Sequence, residues 1–180
     1  MNDKQSHKVH LRCSAVVLRG DTILLLQRDA GDWVLPGGTP GFGEGTAACA
    51  IREVREETGL SVNVLSVAFL LETTNLDYGQ HLIEIVFQAE AADPHAQPQP
   101  CEPGLTPSFV DLADIGRLPM RPPIAGHLRK LAFTPTHGAT VYLGNVWRPS
   151  PSLGSRTAAE PQLLTADTQV SGTATVGTAQ

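Results

Sequence analysis

Apolar positions along the chain fall into short runs broken by glycine, proline and polar residues. In several of them apolar and small residues alternate, the period of a strand. Val9 to Arg19 reads as a strand, with Cys13, Ala15 and Val17 alternating against Ser14 and Val16. Gly20-Asp21 supplies a tight turn, and Ile23 to Gln27 is nearly all apolar, as in a strand buried on both faces. The two strands are expected to form a hairpin. Arg28 to Asp32 is a polar bend before Trp33-Val34-Leu35, which Pro36-Gly37-Gly38 then breaks. Ser61 to Leu71 reads as a strand, Thr73 to Gln80 as a turn, and His81 to Ala89 as a second strand. In that second strand His81, Ile83, Ile85 and Phe87 share one face and Leu82, Glu84 and Val86 the other. Asp93 to Pro107 carries five prolines and is expected to be irregular; Ser108 to Leu112 is a short strand, followed by Ala113 to Leu118. Ile124 to Phe133 has helical spacing behind Pro122-Pro123, and Thr140 to Trp147 is a last strand or a segment packed on the domain.

Between these strands lies a different pattern. Gly37, Gly38, Gly41, Gly43 and Gly45 form a glycine-rich loop that runs directly into residues of helical composition, ending at Gly59 as a C-cap. On a helix Glu53, Glu56 and Glu57 fall on one face, because Glu53 precedes the other two by three and four residues. Ala47, Ile51 and Val54 fall on roughly the opposite face, expected to meet a sheet. Cys49 and Ala50 lie on the carboxylate side and are small enough to let a ligand or metal approach. Crowded carboxylates destabilise an isolated helix, a cost relieved by a hard cation such as Mg²⁺ among the oxygens. A loop without side chains lets backbone groups reach a metal or a phosphate.

Composition narrows the class. The 180 residues suit one domain, with 1–8 a flexible N-terminus, 9–147 the folded unit and 148–180 a Ser/Thr/Ala/Gly-rich tail expected to be disordered. A net charge of −5 leaves no basic footprint for duplex nucleic acid or an anionic membrane, and no apolar run is long enough to span a bilayer. Cys13, Cys49 and Cys101 are odd in number and lack a CxxC pair, so neither disulfides nor a zinc site is expected and a cytoplasmic location is. Removing the tail after Pro149 is expected to leave turnover and melting temperature nearly unchanged. A large drop in either would show that the tail docks on the domain.

The residues from Gly38 to Leu60 carry a family resemblance. Gly38, five residues, Glu44, seven residues and then Arg52-Glu53-Val54-Arg55-Glu56-Glu57-Thr58-Gly59-Leu60 is similar to the complete Nudix hydrolase signature. Many members have an acid where this chain has Gly41. The resemblance implies an α/β/α sandwich around a mixed β-sheet, and Mg²⁺-dependent hydrolysis (Mn²⁺ as a substitute) of a nucleoside diphosphate linked to another moiety. Nucleotide sugars, ADP-ribose and oxidised nucleoside triphosphates are such compounds. It also implies catalytic and metal roles for Glu53, Glu56 and Glu57, a metal contact from the Gly37 carbonyl, and an orienting role for Arg52.

Other roles stay open at this stage. Glu44 is a ligand or substrate contact, or else an acid favoured at a helix N-terminus. Glu84 is an acid on an apolar face, hence an edge position, a paired surface acid, a metal ligand, a base or a substrate contact. Arg28 binds phosphate or caps the strand end. Trp33, Phe42 and Tyr78 are candidates to stack on a base, with core packing preferred for Trp33. The expected partner is a small nucleotide-type diphosphate, bound by a monomer or homodimer. Two rival readings are a catalytically silent nucleotide-binding module and an isomerase of isoprenoid diphosphates. The first has no need of three adjacent acids; the second needs extra catalytic side chains that the sequence does not place.

Overall fold

Strand β1 (Val9–Arg19) is the spine of the molecule. Its residues Cys13 to Val17 are all fully buried, so the strand is covered on both faces. A computed structural model describes residues 8–75, 79–133 and 140–148. β1 turns at Gly20-Asp21 into β2 (Thr22–Arg28), pairing Leu18 with Ile23 and Arg19 with Thr22, the expected hairpin. Ile23, Leu24, Leu25 and Leu26 are all fully buried, as a continuous apolar run implies.

The remaining elements in order are β3 (Trp33–Val34), β4 (Gly37–Gly38), α1 (Thr46–Thr58), β5 (Val62–Asn75), β6 (Gln80–Ala91), β7 (Leu105–Asp111), α2 (Ala125–Phe133) and β8 (Val141–Asn145). The sheet order is β3-β2-β1-β6-β5-β8, with β4 on β1 and β7 on β2. β1 runs parallel to β6 while β5 and β6 are antiparallel, so the sheet is mixed. One face packs α2 through Leu128 and Leu131 onto Val16, Ile23, Leu25, Leu71 and Val86. The other packs α1 through Val54 onto Ala15, Val17 and Leu24, and through Cys49 and Ala50 onto Cys13 and Phe87. A helix on each face gives the expected α/β sandwich.

Several expectations are corrected. Gly37-Gly38 does not simply break the strand: it forms β4, with Gly38 opposite Cys13 and Gly37 opposite Ser14. Thr73 and Thr74 belong to β5 and Gln80 to β6, so the antiparallel pair runs further into the expected turn. Cross-strand pairing outweighs the turn propensity of this polar stretch. The proline-rich segment ends sooner than expected, because Leu105–Asp111 is strand and includes Pro107. Among the described residues β7 pairs only with β2, and an edge strand tolerates a residue without an N–H. Ile51 is exposed and Cys49 and Ala50 are buried, which reverses the expected roles of these positions on α1. The face that meets the sheet is centred on Ala50, Val54 and Glu57.

The rest of the proline-rich segment straps down the end of α1. The Gln99 N–H donates to the Thr58 carbonyl at 2.8 Å, and Arg19 Nη2 donates to the Ala96 carbonyl at 2.7 Å. The Arg19 guanidinium lies 3.9 Å above the Phe109 ring. Among the described residues no helix is long and apolar enough to cross a membrane. Residues 1–7 of the expected flexible N-terminus 1–8 and residues 149–180 of the expected tail 148–180 lie outside the described residues, and so does Tyr78.

Candidate functional site

The glycine loop and α1 are stitched together by carboxylates. α1 starts after Gly45, which offers no side-chain cap, and ends at Gly59 in the left-handed conformation, with the Gly59 N–H bonded to the Arg55 carbonyl. The three glutamates do not share one environment. Glu57 is buried at 6% exposure; Glu53 and Glu56 have side-chain exposures of 15% and 50%.

Glu57 Oε2 accepts the Gly37 N–H at 2.8 Å, so β4 and the last turn of α1 meet at this bond. Burial pushes the Glu57 carboxyl up to about 7, against the Gly37 N–H and the Arg12 charge, with Glu53 and Glu102 adding to the rise. Glu53 lies against Gly38 so closely that a Cβ there would overlap its carboxylate. Gly38 therefore makes room for an acid rather than for a loop motion.

Arg52 joins the remaining acids. Its Nε and Nη2 meet the two oxygens of Glu44 at 2.8 and 3.0 Å, a bidentate clamp. Its Nη1 lies 2.8 Å from both Glu53 Oε1 and Glu56 Oε2. Glu44 Oε2 also accepts the Gly41 N–H at 2.8 Å. Arg52, followed by this N–H, holds the Glu44 carboxyl down at about 2. The Glu44 carboxylate is thus engaged at both oxygens inside the loop–helix clamp.

A second cluster sits on the sheet beside β4. The parallel register of β1 and β6 sets Arg12 beside Glu84, and Ser14 lies on the same face. Glu84 is 2% exposed, which removes the edge reading. Its Oε1 accepts the Ser14 hydroxyl and lies 3.5 Å from Arg12 Nε. Burial raises the Glu84 carboxyl above its ordinary range, against Arg12 and Ser14. Arg12 Nη2 donates to the Leu35 carbonyl at 3.3 Å. Ser14 pairs with Gly37, so this cluster and Glu57 share one backbone segment.

Other candidates lie apart from these clusters. Arg28 forms a two-point ion pair with Asp32 across its own bend, which holds the Asp32 carboxyl low, and no described contact joins it to the signature acids. Trp33 packs against the main core, as preferred, while Phe42 is fully exposed at the loop tip. His81 sits 3.1 Å from Glu72, whose other oxygen accepts the Tyr142 hydroxyl at 2.6 Å, a network on the sheet surface. Arg12, Ser14 and Glu102 are absent from the residues that sequence reasoning singles out. Alternation places Arg12 and Ser14 on one face of β1, but only the long-range pairing with β6 brings them to Glu84.

Among the described residues no three His, Cys, Asp or Glu side chains already converge as a metal cage. Arg52 occupies the space between Glu44, Glu53 and Glu56. The donor set nevertheless fits a hard divalent cation: the acids offer oxygen, and burial disfavours the charge of Glu57 unless a cation stands beside it.

Comparison with known proteins bears on the same region. The sequence model of the NUDIX domain matches residues 8–131. An isopentenyl-diphosphate Delta-isomerase of Cereibacter sphaeroides strain KD131 is 36% identical over 120 residues, covering 60% of this chain and 67% of that protein. A MutT NUDIX hydrolase from Burkholderia pseudomallei has a crystal structure that superposes with a TM-score of 0.55 at 26% identity, covering 60% of this chain and 87% of that one. An ADP-ribose pyrophosphatase from Streptococcus suis superposes at 0.59 with 22% identity, covering 74% and 98%, a likeness of fold.

Proposed function

Because the chain belongs to the NUDIX family, we propose that it hydrolyses the diphosphate bond of a nucleoside diphosphate derivative with Mg²⁺, or Mn²⁺ in its place. The observation that carries this reading is the buried Glu57 carboxylate bonded to the Gly37 N–H, at the point where loop, sheet and signature helix meet. Glu53, Glu56 and Glu57 would hold the cation, with the Gly37 carbonyl as a main-chain contact. A bound divalent cation neutralises phosphate charge, polarises phosphorus and eases deprotonation of water.

The chain's own groups supply position. The Gly37 N–H fixes the orientation of Glu57, and Gly38 lets Glu53 approach the backbone. Arg52 keeps Glu53 and Glu56 apart from free rotation and ties them to Glu44, which acts as an anchor because both its oxygens are engaged. Arg12 places positive charge near Glu57 and Glu84, which would favour an anionic substrate there. Such preorganisation provides most of the acceleration in phosphoryl transfer to water.

Arg52→Ala separates a positioning role from ligation. Turnover is expected to fall by roughly 10–100-fold, while the Mg²⁺ concentration for half-maximal rate does not rise, because no carboxylate is lost. Stability is expected to fall by about 1–3 kcal/mol, since Arg52 makes three partly exposed ion pairs that contribute about 0.2–1 kcal/mol each. A raised Mg²⁺ requirement with unchanged maximal rate would contradict this assignment.

A second reading follows from the name of the Cereibacter sphaeroides relative, an isomerase. Moving a double bond requires groups that give and take protons at carbon. Cys13 and Cys49 are fully buried in the core, and burial pushes Cys49 up to about 12, so neither thiol offers an accessible proton donor or thiolate. A silent binding module remains the other rival. Assaying nucleotide sugars, ADP-ribose, dinucleoside polyphosphates, CDP-alcohols, oxidised nucleoside triphosphates and isopentenyl diphosphate with Mg²⁺ or with chelator separates the three. Metal-dependent cleavage of a nucleotide supports the hydrolase. Rearranged isopentenyl diphosphate with every nucleotide intact, or tight nucleotide binding with no turnover, contradicts it.

A further inference from the structure

Glu84 has an oxygen left over. It stands on β6 in the middle of the sheet, 2% exposed, yet among the described residues its Oε2 has no hydrogen-bond partner. Its other oxygen takes the Ser14 hydroxyl, and Arg12 Nε at 3.5 Å is too distant for a good hydrogen bond and supplies charge instead. A buried carboxylate oxygen without a donor is unfavourable, and native structures rarely keep one without a use. The surroundings connect this oxygen to the diphosphate site. Ser14 pairs with Gly37, whose N–H holds Glu57, and Arg12 reaches the carbonyl of Leu35 two residues before Gly37. Arg12 is 29% exposed on its side chain, so the buried acid lies 3.5 Å from a group that reaches solvent.

We propose that Glu84 and Arg12 are specificity-determining residues that bind the organic moiety attached to the diphosphate, Glu84 Oε2 accepting an N–H or O–H from it while the Arg12 guanidinium donates to a neighbouring acceptor. Ser14 fixes the carboxylate so that Oε2 faces the ligand. This rests on the hydrolase reading above and gives it a substrate class: a moiety with a donor next to an acceptor, which a nucleobase edge or a sugar diol offers. An isopentenyl chain offers neither, and would leave Glu84 buried and unpaired. Sites built around a hydrogen bond reject ligands lacking it far more strongly than apolar pockets reject a missing methylene.

The test is calorimetric binding of AMP, GMP, UMP, CMP and ribose phosphate to the full chain with Mg²⁺, for the parent, Glu84→Gln and Arg12→Lys, beside KM and kcat for the nucleotide that the parent cleaves. In both variants the best-bound nucleoside monophosphate is expected to weaken by roughly 10-fold or more, with the loss appearing mainly in KM. If ribose phosphate binds all three proteins alike, the donor is on the base; if it weakens in parallel, the donor is on the sugar. Arg12→Lys keeps the charge and removes the fork, so it reports even where Glu84→Gln fails to fold. A parent that cleaves nucleotides, with binding and KM unchanged in the folded variants and only melting temperature shifted, overturns the inference and leaves the hydrolase reading standing. A parent that cleaves no nucleotide overturns that reading first.

Discussion

Glu57→Gln is expected to lower Mg²⁺-dependent turnover by about 100-fold or more and to raise the Mg²⁺ concentration needed for what remains, while the metal-free variant melts no lower than the parent at neutral pH. Gln keeps an oxygen to accept the Gly37 N–H, so the bond between β4 and α1 survives. It removes a charge that burial disfavours. The sign of the pH dependence follows from the direction of the shift. The folded carboxyl titrates at about 7 and the unfolded one near 4.5. Between these values the folded chain holds a proton that the unfolded chain has released. The metal-free parent therefore loses stability as pH rises through that window, up to about 3 kcal/mol above it. The variant has no such group, so its melting temperature should gain on the parent as the pH rises through that window. Mg²⁺ should raise the melting temperature of the parent most above pH 7, where the carboxylate is ionised, and that of the variant less. A solvated acidic helix face predicts none of this, because a carboxylate in water has no burial to relieve. Parental turnover and metal dependence in Glu57→Gln would place the metal site elsewhere.

Gly38→Ala acts on Glu53 without touching a charge. Its Cβ would overlap the Glu53 carboxylate, and β4 cannot retreat without giving up its pairing with Cys13 and Ser14. Glu53 must therefore swing away and loosen its 2.8 Å contact with Arg52. With Glu53 in the proposed metal-binding role, displacing it by about 1 Å is expected to cost on the order of 100-fold in rate, while the melting temperature changes little, because the overlap is with the mobile end of a side chain. Gly45→Ala is the matched control. Its Cβ meets nothing within 4 Å, and its φ of −68° suits any residue. Kinetics and melting of the two variants side by side give the answer. Equal, mild effects would show that the glycines serve loop flexibility; a loss confined to Gly38→Ala shows that close approach to Glu53 is the reason for that glycine.

What was legible from sequence depended on how local its cause is. Gly20-Asp21 between two apolar runs names a hairpin by itself, and so does the Gly59 C-cap name the end of α1. The roll of α1 was not legible. Spacing puts the glutamates together and turns Ala47, Ile51 and Val54 toward the sheet, whereas the face that is buried holds Cys49, Ala50, Val54 and Glu57. The burial of Glu57 depends on the Gly37 N–H, supplied by a strand pairing of two glycines that have no strand propensity. Glu84 could be flagged as an acid among apolar neighbours, but its partners could not. Arg12 stands beside it only through a parallel pairing of strands separated by most of the domain. Registers of that kind are set by the whole core and leave no signal in either strand.

The phosphorus atoms themselves give the most direct test. Phosphorus NMR of the parent protein with a nucleotide mixture and isopentenyl diphosphate, recorded with Mg²⁺ and again with chelator, follows every diphosphate bond at once. The coupled diphosphate signals of at least one nucleotide are expected to give way to phosphomonoester signals, with Mg²⁺ only, while isopentenyl diphosphate keeps its structure. Intact nucleotide signals in the presence of Mg²⁺ and Mn²⁺, from a protein that melts cooperatively, would contradict it.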